Sequence, residues 1–253
     1  MGVPLVVKKP YEWEDGATLE EHSKRKHKIL REYFSRYLAV RCQLPQQAHF
    51  RLAIVDGFAG AGRYNCGTPG SPIIFVEELR AAVNQFNIAR RANGMAPLSI
   101  ECLLILNDLD PRAIGQLKEH MQPLLAVARE ENPNLDLHVE YMSPSFEEAY
   151  PKIKEQIQSD RYRNVLFNLD QCGDSHVELG TLVDIMGSFK SAEIFYTFMI
   201  TSLLAFLQKS NPRLLASRPG YLGLDESKLS QLEGLMNNKT WLGVAQRNVF
   251  DAL

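Results

Sequence analysis

One stretch of the chain gathers residue types that could hold a small charged ligand: Asp56-Gly57-Phe58-Ala59-Gly60-Ala61-Gly62. Glycine reaches positive φ and lets backbone come close to a ligand, because it has no Cβ. Directly after a strand, such a turn is where nucleotide-like ligands sit in doubly wound sheets. The spacing here is an acidic residue followed by G-x-x-G-x-G, not the G-x-G-x-x-G of a dinucleotide turn. A pyrophosphate wants backbone N–H groups and no nearby carboxylate, so an acidic strand end suits a cationic ligand better. The form D/E-x-F-x-G-x-G is the signature of S-adenosylmethionine (SAM) binding. It nominates Asp56, Gly57, Phe58, Ala59, Gly60 and Gly62 as cofactor contacts. A plain glycine-rich turn is the competing structural reading. An NAD-dependent oxidoreductase is the competing chemistry, and the glycine spacing argues against it.

Two further strand ends carry carboxylates. The second strand closes on Asn107-Asp108-Leu109-Asp110-Pro111. A carboxylate at that tip can accept hydrogen bonds from both ribose hydroxyls, and Asp108 is the candidate. Asp110, ahead of Pro111, suits the N-cap of the next helix. The fourth strand closes on Asn168-Leu169-Asp170-Gln171-Cys172-Gly173. A carboxylate there could orient or deprotonate an acceptor amine or hydroxyl, which makes Asp170 the candidate catalytic residue. A turn-capping role is the competing reading. Cys172 is a weaker nucleophile candidate, since no histidine lies close in sequence.

These residues need a scaffold that brings strand ends to one edge. Five near-continuous apolar stretches alternate with helical patterns: Arg51–Asp56, Glu101–Asn107, Leu135–Tyr141, Asn164–Leu169 and Ala192–Ile200. Near-continuous apolar strands between helices indicate a parallel sheet covered on both faces. The expected fold is therefore α/β, a Rossmann-like doubly wound, mostly parallel sheet with an N-terminal helical extension.

Helices are expected from Ser71 to about Ala92, from near Pro111, from Ser145, and over Val177–Gly187. Ser71 reads as an N-cap with Pro72 at the first helical position. An N-terminal helix is expected over Thr18–Arg41, with Thr18 and Glu21 forming a capping box. Its apolar face is Ile29, Leu30, Tyr33, Phe34, Tyr37 and Leu38. Its opposite face is basic: Lys24, Arg25, Lys26, Lys28 and Arg31. That face is either solvated or a surface for nucleic-acid phosphate or an acidic partner. After Ile200 the pattern weakens to a loop over Asn211–Gly223 and a helix over Asp225–Asn237. The expected organisation is an N-terminal arm and helix over 1–44, a SAM-binding domain over 45–205, and a C-terminal segment over 206–253.

Composition narrows the class of protein. The formal net charge of −2 over 253 residues is unlike a dedicated nucleic-acid binder. No apolar run reaches the roughly 18–20 residues needed to span a bilayer, and the N-terminus lacks the apolar core of a signal peptide. Four cysteines, Cys42, Cys66, Cys102 and Cys172, lie far apart with no C-x-x-C pair, which suits free thiols in a reducing cytosol. The expectation is a cytoplasmic protein with no membrane segment and no metal site.

The same residues resemble the three-Cys-motif partner protein family. The matching stretches are His22-Ser23-Lys24-Arg25-Lys26-His27-Lys28-Ile29-Leu30 with Tyr33, then Asp56 to Gly62 continued by Arg63-Tyr64. Gly70-Ser71-Pro72 and the strand Val165-Leu166-Phe167-Asn168-Leu169-Asp170 complete the match, which spans residues 20 to 173. The resemblance implies a bacterial or phage-associated SAM-methyltransferase-like protein encoded beside a partner with a three-cysteine motif. Its methyl acceptor is expected on nucleic acid or on that partner. The alternative is a non-catalytic methyltransferase-like scaffold in mobile-element or defence systems. One departure bears on activity: the family pattern is similar to Asp-Pro-Phe-Gly after the fourth strand, and here the segment is Asp170-Gln171-Cys172-Gly173. Family members are also longer, and only Thr240–Phe250 remains to supply a terminal hairpin, so the chain is expected to be a fragment or a shortened member.

Overall fold

In the computed structural model the described residues are 17–171 and 177–197. The architecture is α/β, a five-stranded parallel sheet flanked by helices, of the Rossmann-like doubly wound kind. It divides into two compact units, one up to Pro144 and one from Ser145 onward. The expected helix at Asp225–Asn237, the loop at Asn211–Gly223, the remainder Thr240–Phe250, and Cys172 with Gly173 lie outside the described residues.

The first unit holds α1 (Glu21–Arg41), β1 (His49–Asp56), α2 (Ser71–Ala92), β2 (Ser99–Asn107), α3 (Pro111–Glu131) and β3 (Leu135–Met142). β2 lies between β1 and β3, with both ladders parallel. Asp56 at the end of β1 sits in register with Leu106, and Asn107 with Met142, so the three strand ends finish together. β1 and β2 are buried almost throughout. β3 instead alternates at its start, with Leu135 and Leu137 buried and Asp136 and His138 exposed. The expectation of burial on both faces therefore fails for β3, where period-two alternation marks a half-covered strand.

α1 packs its Leu30, Phe34, Tyr37 and Leu38 inward, and Phe34 meets Phe75 of α2 edge-on at 5.1 Å between ring centroids. Ile29, expected on that apolar face, is 57% exposed. Arg31 donates to Glu77 of α2 at 2.7 Å and also pairs with Glu78, which ties the two helices on their rim. The expected Thr18 capping box is absent. α1 starts at Glu21, with Glu20 in the cap position and no side-chain cap bond. The reason is that the preceding backbone is engaged elsewhere: Ala17 bridges to Tyr64 and accepts from Asn65 N at 3.0 Å, while Thr18 Oγ1 accepts from the Asn65 amide at 3.4 Å.

A second cap also shifts. α2 begins at Ser71 itself, and its cap position is Gly70. Gly70 N donates to Gly62 O at 2.7 Å, and a Cβ at residue 70 would lie 3.1 Å from that oxygen. Only a residue without a side chain seats easily there, so the usual capping oxygen is forgone. Asp110 does cap α3, accepting from Arg112 N at 2.9 Å, as expected.

The second unit holds α4 (Phe146–Ser159), β4 (Asn164–Leu169), α5 (Leu179–Ser188) and β5 (Ser191–Tyr196), with β4 and β5 in a parallel ladder. Ser145 and Glu148 form a complete capping box on α4. Phe167 on the buried β4 meets Tyr150 of α4 and Phe189 beyond α5. α5 has no cap of its own. Glu147 of α4 supplies one, accepting from Glu178 N at 2.7 Å and from Thr181 Oγ1 at 2.6 Å. α5 therefore spans Leu179–Ser188 and not the expected Val177–Gly187. β5 ends at Tyr196 and is half-buried; residues 198–200 of the expected strand lie outside the described residues.

Candidate functional site

The turn after β1 is shaped by groups outside itself. Asp56 closes the strand fully buried, and Gly57 and Ala59 are buried behind it, while Phe58 and Gly60 are half-exposed. Ala59 N donates to Asn107 O at 2.9 Å. Gly60 N donates to Asp108 Oδ2 at 2.9 Å. Gly57 O accepts from the Asn107 side-chain amide at 3.3 Å. His120 of α3 donates from Nδ1 to Ala61 O at 2.7 Å. These bonds run from the turn to the tip of β2 or to α3.

Gly60 has φ +60° and Gly62 φ +79°, the left-handed region that side chains resist. The two glycines serve different ends. A Cβ at Gly62 would sit 2.6 Å from Leu117 Cδ1 and 3.9 Å from His120 Cβ, so Gly62 lets α3 press against the turn. Gly60 carries an N–H that meets the tip of β2. The expected residues Asp56, Gly57, Phe58, Ala59, Gly60 and Gly62 thus form one continuous turn, and Asp108 is brought against it.

Asp108 holds two loops at once. Besides Gly60 N on Oδ2, its Oδ1 accepts from Asp110 N at 2.9 Å. Burial raises its pKa above the ordinary 3.8; the hydrogen bonds from Asp110 and Gly60 oppose the shift and the charge of Asp110 adds to it. A carboxylate oxygen can accept more than one hydrogen bond, so each oxygen keeps capacity for a ligand hydroxyl. Asp110 caps the helix as the sequence suggests, while Asp108 bonds the turn, a contact the sequence did not indicate.

Asn107 and His120 were not singled out by sequence. Asn107 is 1% exposed; its amide nitrogen also donates to Pro144 O at 3.2 Å, and its Oδ1 has no hydrogen-bond partner. The available signal was a polar residue closing an otherwise apolar strand. For His120 it was a polar residue one turn from Leu117 on the buried face of α3.

In the second unit, Asp170 follows the last residue of β4 and is half-buried. Gln171 is fully buried and donates its amide to the Tyr196 hydroxyl at 2.8 Å. Gln171 thus ties the end of β4 to β5. Among the described residues no group of His, Cys, Asp and Glu could hold a metal ion, and no helix is long and apolar enough to cross a membrane. Cys42, Cys66 and Cys102 are free thiols.

The basic face of α1 is laced with acids. Lys24 and Arg25 share Glu21 at 3.4 and 3.9 Å, and Lys28 lies 4.0 Å from Glu32. Arg31 is engaged by α2. Neither a protein-family model nor a curated protein matches this chain.

Proposed function

We propose that the chain binds SAM at the turn after β1 and acts as a SAM-dependent methyltransferase. The observation that carries this reading is the pairing of two left-handed glycines with a carboxylate-bearing strand tip: Gly60 and Gly62 beside Asp108. SAM when bound supplies an electrophilic methyl group on a sulfonium. The residues here fit it. Asp108 retains acceptor capacity for ribose hydroxyls, and the turn between Asp56 and Gly62 offers backbone, not basic side chains, to the ligand. A pyrophosphate would meet the carboxylate of Asp56 at the end of β1 as a repelling charge.

Asp170 is the residue proposed to orient the acceptor, from its place at the end of β4. The acceptor belongs to a nucleic acid, met by the basic face of α1, or to the three-cysteine-motif partner protein that the resemblance implies. Calorimetry with SAM, S-adenosylhomocysteine and NAD tests the ligand. Binding of the first two and not the third is expected; binding of NAD alone would overturn the reading.

A second reading is favoured by Gln171. Its bond to Tyr196 makes Gln171 part of the framework. That suits a scaffold that keeps the ligand turn and works through a partner. Ligand binding without turnover on either acceptor class would select it.

A further inference from the structure

We infer that His120 is a positioning residue for the ligand turn, setting the course of Ala61 and Gly62 from behind. The inference rests on the ligand reading above and concerns the same turn.

Gly57 O, Ala59 N, Gly60 N and Ala61 O all bond to groups beyond the turn. Three of these partners sit at the tip of β2, in Asn107 and Asp108. They fix the first half of the turn only. The second half, where φ turns positive again at Gly62, is met by Leu117 and His120 of α3, with Gly70 N and Ile73 from the α2 side.

Leu117 supplies shape and His120 supplies direction. The closeness of Leu117 to Gly62 shows that α3 stands as near as a glycine permits. A carbonyl can only accept, so the 2.7 Å contact fixes the imidazole as a donor through Nδ1. That bond holds the Ala61 peptide plane, and a peptide plane sets both the carbonyl before it and the N–H after it. The N–H after Ala61 O belongs to Gly62. Aiming that group is what a ligand turn requires. From Gly62 the chain continues as Arg63 and Tyr64, with Gly62 O accepting from Gly70 N. His120 thus sits where the turn passes into the connection to α2.

The test compares His120→Leu with His120→Asn. Asparagine can present an N–H close to the position of Nδ1, and leucine cannot. SAM affinity is measured by calorimetry and the melting temperature on the same samples. Amide hydrogen exchange at Gly60 and Gly62 is followed without ligand. If His120 positions the turn, His120→Leu weakens SAM binding by about tenfold, as expected for one lost hydrogen bond. His120→Asn restores it, at equal melting temperature in the two variants. A wild-type protein that binds SAM with both variants unchanged overturns the inference and leaves the ligand reading intact. If wild type fails to bind SAM, the ligand reading falls and hydrogen exchange decides the inference alone. Faster exchange at Gly62 in His120→Leu, restored in His120→Asn, supports positioning; exchange unchanged in His120→Leu overturns it.

Discussion

At the end of β1 the chain turns on glycines and is held from outside, by Asn107, Asp108 and His120. At the end of β4 the chain is held from within the segment: Gln171, the second residue past the strand, buries its amide and bonds Tyr196. The first arrangement tethers the turn from β2 and α3 and leaves Phe58 and Gly60 half-exposed. The second spends a polar side chain on fixing the neighbouring strand. The two strand ends thus teach different things. A preorganised turn argues for a ligand whatever the reaction, while a carboxylate beside a structural glutamine argues for chemistry only if turnover is seen.

The largest expected effect falls at β4. Asp170→Asn keeps the shape and removes the charge. If Asp170 assists the acceptor, turnover falls by ~10²–10⁴-fold with SAM affinity unchanged. An active wild type with an equally active variant would remove Asp170 from the catalytic role, and would leave the β4 end as framework alone.

The next effect falls on the glycines of the first unit and sharpens what the turn is made of. Gly62 and Gly67 both sit near φ +79° and +78°, but only Gly62 has a neighbour within reach of a Cβ. Gly67→Ala should cost about 1–2 kcal/mol, the backbone penalty alone. Gly62→Ala should cost that much plus a further ~1–3 kcal/mol for moving Leu117. Chemical denaturation of the pair measures the difference. Equal losses would mean that α3 yields freely, and that the turn is less tightly backed than its geometry indicates.

Much of this was legible beforehand. Strand β4 is read from sequence with its observed bounds, and β1 and β2 with their ends at Asp56 and Asn107, because apolar runs that end on polar residues mark buried strands sharply. The turn from Asp56 to Gly62 and the strand-tip Asp108 were legible as candidates because spacing after a strand is local. What was not legible was tertiary. Thr18 looks like a cap until Ala17 is seen bridging Tyr64. Ser71 looks like a cap until Gly70 is seen resting on Gly62. Ile29 has helical spacing with its neighbours, and period alone cannot fix the width of the buried stripe. His120 and Asn107 act through contacts 59 and 50 residues away in sequence, partners that a local pattern does not name.

A subtler effect separates the two roles of Asp108. Its pKa in the folded protein is raised, so on raising pH the unfolded chain loses this proton first, near 3.8, while the folded protein still holds it. The unfolded state then binds fewer protons, and stability falls with pH until the folded value is passed. This contribution is favourable in acid and lost toward neutral pH. Asp108→Asn removes the titration, so the stability of the variant relative to wild type should improve from acid to neutral pH. Denaturant midpoints across that range check the sign. A relative stability that worsens toward neutral pH would mean that the bonds from Gly60 and Asp110 outweigh burial.

The smallest effect is expected on α1. Lys24, Arg25 and Lys28 are 56%, 77% and 78% exposed at their side chains, and each faces a glutamate on the same helix. Such exposed pairs contribute little, because water screens them and long side chains resist being held. Arg31 differs, since its two glutamates lie on α2 and it joins two helices. Replacing Lys24, Arg25 and Lys28 by glutamine should therefore leave the melting temperature almost unmoved, while Arg31→Gln lowers it. The same triple variant examines the nucleic-acid reading of this face. A phosphate-binding face releases counterions on contact, so affinity for a DNA duplex would fall steeply with salt and the slope would flatten in the triple variant. With Glu21 and Glu32 already drawing on these cations, the expected outcome is weak binding and one slope for both proteins. A steep wild-type slope that flattens in the variant would instead make α1 the docking face, and would choose nucleic acid over the partner protein as the acceptor.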